Sequence, residues 1–255
     1  AMRCRNRLYD RGTLASTRLA RPVVSVGNIT TGGTGKTPVV RWLAESLTAR
    51  GLRPAVLLRG YTRGSTTTSD EQVMLREQLA ADIPVAADPD RVRAAAKALV
   101  EQPKLDVYVL DDGMQHRRLA RDFELTLVNA ADPFGYGHVL PRGLLREPLA
   151  GLKRAHAFLL TRVGQATPEA VREIESTLHR YNPGAPVYRC EHVHAGVRLP
   201  TGERRPVEAL QGRRVFAFCG IGSPETYEAQ VRGLGGQVVG VHAFPDHHDY
   251  SEQDL

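Results

Sequence analysis

Lys36 and Thr37 close a glycine-rich stretch, Thr31-Gly32-Gly33-Thr34-Gly35-Lys36-Thr37. A cation and a hydroxyl placed directly after glycines suit a polyphosphate. In such a loop successive backbone N–H groups turn inward and a helix N-terminus adds its positive end. The lysine reaches the outer phosphates and the hydroxyl takes Mg2+. Glycines permit the backbone angles and the close approach. Thr30 stands where the G-x-x-x-x-G-K-S/T pattern begins with glycine, but the setting is right, with an apolar strand before and a helical pattern after. A dinucleotide fingerprint fits less well, because Pro38 occupies its third glycine position.

A second acidic element follows. Val107 to Leu110 is an all-apolar run that ends in Asp111 and Asp112, then Gly113 and Gln115-His116-Arg117-Arg118. A buried strand ending in a carboxylate supplies the second protein ligand to Mg2+ in nucleotide-hydrolysing and phosphotransfer enzymes. Asp111 or Asp112 would do this; Asp111 is taken as the metal ligand beside Thr37, and Asp112 is placed among the catalytic residues.

These groups need a scaffold that brings loop and acidic pair together. Short apolar runs at Val23–Val26, Ala55–Leu58, Val107–Leu110, Leu125–Val128 and Phe158–Thr161 read as strands. They alternate with helical patterns at Lys36–Arg50, Glu71–Ala80, Asp90–Val100 and Ala170–Tyr181. Asp90 is read as the N-cap of its helix. Alternation of this kind predicts an α/β fold, a parallel sheet with helices on both faces. The pattern changes near Asn182-Pro183-Gly184. Val187 to Val207 alternates around Pro200-Thr201-Gly202 as a β-hairpin would, and Arg213–Phe218 with Glu225–Leu234 starts a smaller α/β unit. The expected division is residues 1–183, a hairpin linker at 184–210, and an incomplete second domain at 211–255.

The chain has 255 residues, 42% of them hydrophobic and 24% charged, which is ordinary for a folded α/β protein. Its formal charge of +6 suits an anionic partner. Arg3, Arg5, Arg7, Arg11, Arg18 and Arg21 crowd the N-terminus, either as a solvated helix face or as one that meets membrane or phosphate. No apolar run is long enough to span a bilayer, and no signal-peptide pattern is present. Cys4, Cys190 and Cys219 are far apart, which indicates neither a disulfide framework nor a standard zinc site.

Five blocks occur in order: GNITTGGTGKTP (27–38), LLRGYTRG (57–64), DDGMQHRRLARD (111–122), VLPRGLLREPL (139–149) and FPDHHDY (244–250). Together they resemble the tetraacyldisaccharide 4′-kinase family of lipid A biosynthesis. The resemblance implies a P-loop kinase domain joined by a β-hairpin to a smaller α/β domain. It implies transfer of the ATP γ-phosphate to the 4′-hydroxyl of a tetraacylated glucosamine disaccharide 1-phosphate. The enzyme would be peripheral on the cytoplasmic face of the bacterial inner membrane, and a monomer. By the same resemblance Arg146 neutralises phosphate charge, Asp70 helps activate the acceptor hydroxyl, and His247 orients that carboxylate. An imidazole that fixes a carboxylate beside a hydroxyl makes chemical sense. Taken alone, Asp70 could cap its helix, and His247 could sit in a surface turn or a metal site. Family members usually begin with a hydrophobic membrane-dipping helix and continue past the position of Leu255, so the chain reads as trimmed.

Two other classes share some of these features. Switch ATPases of the partitioning or septum-positioning type carry K-G-G-x-G-K-S/T, but Thr31 replaces the lysine that their dimers place across the interface. A nucleic-acid module would use the basic surface, but aromatic residues are 6% of the chain, no stacking motif is present, and no nucleic-acid partner is expected.

Overall fold

The computed structural model describes residues 2–60, 70–191, 193–221, 224–245, 248, 250, 251 and 254, with the side chains of 70–72 also outside the description. The chain forms two compact units, residues 1–192 and 193–255.

The first unit is built on a seven-stranded sheet whose pairs are all parallel. Its strands are β1 (Val23–Asn28), β2 (Pro54–Leu58), β3 (Val85–Ala87), β4 (Val107–Asp111), β5 (Phe123–Asn129), β6 (Ala157–Thr161) and β7 (Val187–Arg189). The spatial order is β3-β2-β4-β1-β5-β6-β7. From β1 the chain runs to one edge, and from β5 to the other. A divergence of this kind opens a crevice beyond the carboxyl ends of the strands, where α/β proteins bind ligands.

Strands buried on both faces need apolar residues at every position, and β2 (Pro54-Ala55-Val56-Leu57-Leu58) is buried throughout. Val56 and Leu58 join Val39, Val40 and Ala44 of helix α2 (Lys36–Ala49), together with Leu75 of α3 (Asp70–Gln78). Ala55 and Leu57 face the other way, onto Ala94, Ala95 and Ala98 of α4 (Arg91–Glu101). A third cluster packs Phe158 and Leu160 beneath Val171, Ile174 and Leu178 of α5 (Pro168–Tyr181). Asp90 caps α4 by accepting from Val92 N at 3.0 Å, and Thr167 caps α5. The N-terminal helix α1 (Met2–Asp10) buries no residue. Among the described residues no helix is long and apolar enough to cross a membrane.

The alternation from Val187 to Val207 is not one hairpin. Val187–Arg189 pairs in parallel with Phe158–Leu160 as the edge of the main sheet. The hairpin is shorter, β8 (Val197–Arg198) against β9 (Arg204–Arg205), and lies in the second unit. There β10 (Arg214–Cys219), α6 (Pro224–Gly233) and β11 (Gln237–Ala243) form a parallel βαβ unit.

Candidate phosphate-transfer site

The loop from Thr30 to Gly35 leaves the carboxyl end of β1 and enters α2. Gly32 (φ 96°) and Gly35 (φ 81°) are left-handed, a conformation that strains any L side chain. A Cβ on Gly32 would meet nothing within 4 Å, so the glycine is required by backbone angle and the space beside it is open. Lys36 opens the helix, and its Nζ donates to Asn28 Oδ1 at 3.1 Å. Thr34 is buried: its carbonyl accepts from Thr161 Oγ1 at 3.0 Å, and its own Oγ1 has no hydrogen-bond partner among the described residues. Thr31 plays a different part from the rest of the loop. Its amide (2.8 Å) and hydroxyl (3.3 Å) both donate to Leu144 O, so it ties the loop to a neighbouring segment.

The acidic pair arrives at the end of β4, beside β1. Asp111 is buried, and Asp112 takes a left-handed backbone (φ 51°) that turns the chain away from the sheet. The turn crosses β1 so closely that a Cβ on Gly113 would fall 2.1 Å from Ser25 Oγ, and one on Gly27 would fall 2.6 Å from Met114 Cβ. Both glycines are therefore packing requirements.

Asp112 meets two cations. Arg146 Nη1 and Nη2 donate to its two oxygens, the second at 2.9 Å, and Lys36 Nζ lies 3.7 Å away. Burial pushes the Asp112 pKa up, but the Arg146 hydrogen bonds and the Lys36, Arg146 and Arg91 charges outweigh it. The carboxyl sits below its ordinary value. Asn28 Oδ1 joins Lys36 to Arg146, at 3.1 and 3.4 Å.

The 139–146 segment is hung on the phosphate loop. Arg146 N donates to Ile29 O at 2.8 Å, and Thr30 pairs with Leu145. The next residue, Glu147, is fully buried. Its carboxylate accepts from Arg154 Nη2 (2.8 and 2.7 Å), Gln115 Nε2 (3.0 Å) and Asn6 Nδ2 of α1 (2.9 Å). Gln115 Nε2 also donates to Asn28 O at 2.8 Å. Of the N-terminal arginines, Arg5 turns inward to Gln115 O at 2.8 Å, while Arg3 and Arg7 are exposed.

The 113–119 turn is held by Arg121, which donates to the carbonyls of Gly113, Met114, His116 and Leu119 and to Glu124 Oε2 at 2.8 Å. Burial raises the Glu124 pKa, and Arg121 is its charge partner. His116, on the same turn, is pushed down to about 4 by burial and by Arg91, Arg121 and Arg118, so the imidazole is neutral near pH 7.

Of the residues named from the sequence, the structure brings Lys36, Asp112 and Arg146 together, while Thr37 lies in the first turn of α2 and Asp111 ends β4. Sequence reasoning missed Asn28 and Glu147, although a lone amide ending an apolar strand and the acid after Arg146 were visible signals. Asp70 is the first residue of α3, with its side chain outside the described residues, and His247 lies outside them altogether.

The site fits a nucleoside triphosphate with a divalent cation. The loop is open at Gly32, Lys36 and Arg146 converge, and the hydroxyl of Thr37 and carboxylate of Asp111 are the hard oxygen donors that Mg2+ prefers. A parallel sheet with this loop after β1 and an acidic pair ending the adjacent strand defines a P-loop phosphotransfer protein.

Comparison with known proteins narrows the class. The family described as Tetraacyldisaccharide-1-P 4'-kinase (LpxK) matches residues 1–255. A tetraacyldisaccharide 4'-kinase of Geobacter metallireducens is 41% identical, covering 100% of this chain and 77% of the relative. That of Anaeromyxobacter sp. (strain Fw109-5) is 40% identical, covering 98% of this chain and 71% of the relative. The "apo" form of LpxK from Aquifex aeolicus in complex with ATP superposes with a TM-score of 0.77 at 32% identity, covering 98% of this chain and 79% of that one. The chain belongs to the tetraacyldisaccharide-1-P 4'-kinase family.

Proposed function

We propose that this chain is an ATP-dependent kinase that phosphorylates the 4′-hydroxyl of a tetraacylated glucosamine disaccharide 1-phosphate. One observation carries the reading: Lys36 and Arg146 converge on Asp112 at the mouth of the glycine loop. Phosphoryl transfer asks little covalent chemistry of a protein. It asks for position and for positive charge around the moving group. Lys36 and Arg146 provide that charge, and Asn28 holds the two cations at a fixed spacing.

Thr37 and Asp111 would hold Mg2+, which supplies charge neutralisation between the outer phosphates. Asp112 keeps the cations paired before the nucleotide arrives. Asp70 accepts the proton of the attacking 4′-hydroxyl, and His247 orients it; the family resemblance supports this pair. The acyl chains of the acceptor call for a lipid surface, so we place the enzyme, as a peripheral monomer, on the cytoplasmic face of the inner membrane. The exposed Arg3 and Arg7 of α1 support an anionic surface nearby.

The test is mass spectrometry of tetraacyldisaccharide 1-phosphate incubated in detergent with the protein, ATP and Mg2+. The lipid should gain one phosphate. An unchanged lipid, with ATP converted to ADP and free phosphate, would instead support a switch ATPase.

A further inference from the structure

Arg162, at the carboxyl end of β6, is the strongest unexplained group in the first unit. Its backbone is left-handed (φ 57°), which a non-glycine residue adopts at a cost and which clusters at ligand sites. Its side chain is half-buried, and its guanidinium has no hydrogen-bond or ion-pair partner among the described residues. Glu191 stands close by, against Gly164, without pairing to it. The guanidinium instead lies over the glycine loop, with Nη2 3.8 Å from the position that a Cβ on Gly33 would take. The preceding residue fastens this strand end to the loop, since Thr161 Oγ1 donates to Thr34 O at 3.0 Å.

Sheet order says which end of a nucleotide Arg162 meets. Around β1 the order is β4-β1-β5-β6. The cation cluster of Lys36 and Arg146 with Asp112 lies at the β4 side, so the reacting phosphate sits there. The nucleoside end then leaves the loop on the opposite side, over β5 and β6, where Arg162 waits. The helix provides one amide fewer than usual for the phosphate chain, because Pro38, the third residue of α2, has no N–H. More of the nucleotide's hold must then come from elsewhere.

We propose that the Arg162 guanidinium stacks on the purine base of the nucleotide and is the residue that binds its nucleoside end. The inference rests on the kinase reading and extends it to a contact that the glycine motif does not specify. A flat delocalised cation suits an aromatic face.

The experiment is calorimetric titration of the protein with ADP and, separately, with inorganic tripolyphosphate, both with Mg2+. Arg162→Asn removes the guanidinium with a residue that tolerates the left-handed backbone. ADP should bind about tenfold more weakly, in the range of a desolvated cation–π contact, and tripolyphosphate should be unaffected. Arg162→Lys keeps the charge without the plane and should also lose ADP affinity. Unchanged ADP binding in Arg162→Asn, equal weakening of both ligands, or full ADP affinity in Arg162→Lys would each overturn the proposal. If the unaltered protein bound neither ligand, the kinase reading itself would fall, and the Arg162 assignment with it.

Discussion

Asp112 and Arg146 face one another in a two-point contact, guanidinium to carboxylate, at the mouth of the phosphate loop. The two residues come from different parts of the chain, the turn after β4 and the segment hung on the loop by Ile29 and Thr31. Their pairing places a second cation beside Lys36, and in the proposed mechanism a polyphosphate competes for it. Because the fork geometry of arginine matches both carboxylate and phosphate, the same guanidinium can serve either partner.

Replacing that fork should therefore impair the chemical step. Arg146→Ala is expected to lower kcat by about 10²- to 10³-fold, the usual loss when one transition-state charge partner is removed. Arg146→Lys should recover only part of it, because an ammonium cannot make the two-point contact. Steady-state rates at saturating ATP and lipid check both.

Asn28 holds Lys36 and Arg146 through one oxygen. Asn28→Asp should draw both cations onto a new carboxylate and weaken ATP binding, raising the KM for ATP by roughly tenfold for one added unfavourable charge contact. A KM equal to that of the unaltered protein would remove Asn28 from the site.

The Arg121–Glu124 pair is a stability element. Arg121→Ala strands a buried carboxylate and frees four carbonyls, and should cost about 3–5 kcal/mol in urea unfolding. Glu124→Gln should cost less, since the amide still accepts from Arg121. Equal unfolding midpoints for Arg121→Ala and the unaltered protein would show that the turn does not depend on this clamp.

His116 sets a pH window. Its imidazole falls from the ordinary 6.5 to about 4 in the fold, because it is buried and faces Arg91, Arg121 and Arg118, with Asp90 opposing them. Between those values the unfolded chain binds a proton that the folded chain refuses. The contribution of His116 to stability is thus complete above pH 6.5 and declines as pH falls toward 4. His116→Asn should flatten the stability profile in that interval, measured by urea midpoints at successive pH values.

Much of the scaffold was legible because its signals are local. Val23–Asn28, Pro54–Leu58 and Val107–Asp111 are apolar runs bounded by polar or turn residues. β3 was not legible, since three residues, Val85-Ala86-Ala87, carry too little pattern to distinguish a strand from a loop. β7 was read as hairpin because this short edge strand is exposed on both faces: the adjacent Tyr188 and Arg189, which point to opposite sides of the sheet, are both exposed. In the site, residue type and spacing singled out Lys36 and Asp112, and the family resemblance singled out Arg146. Asn28, Glu147 and Arg162 each meet at least one neighbour far away in sequence, Arg146, Asn6 and Gly33 respectively, and no spacing rule brings those together.

The most direct measurement is label transfer from γ-labelled ATP to tetraacyldisaccharide 1-phosphate, run side by side with the unaltered protein and Lys36→Ala. The expected result is label in the lipid with the first and none with the second, both proteins having the same unfolding midpoint. Label that reached only free phosphate with the unaltered protein, or that entered the lipid at full rate with Lys36→Ala, would contradict the account.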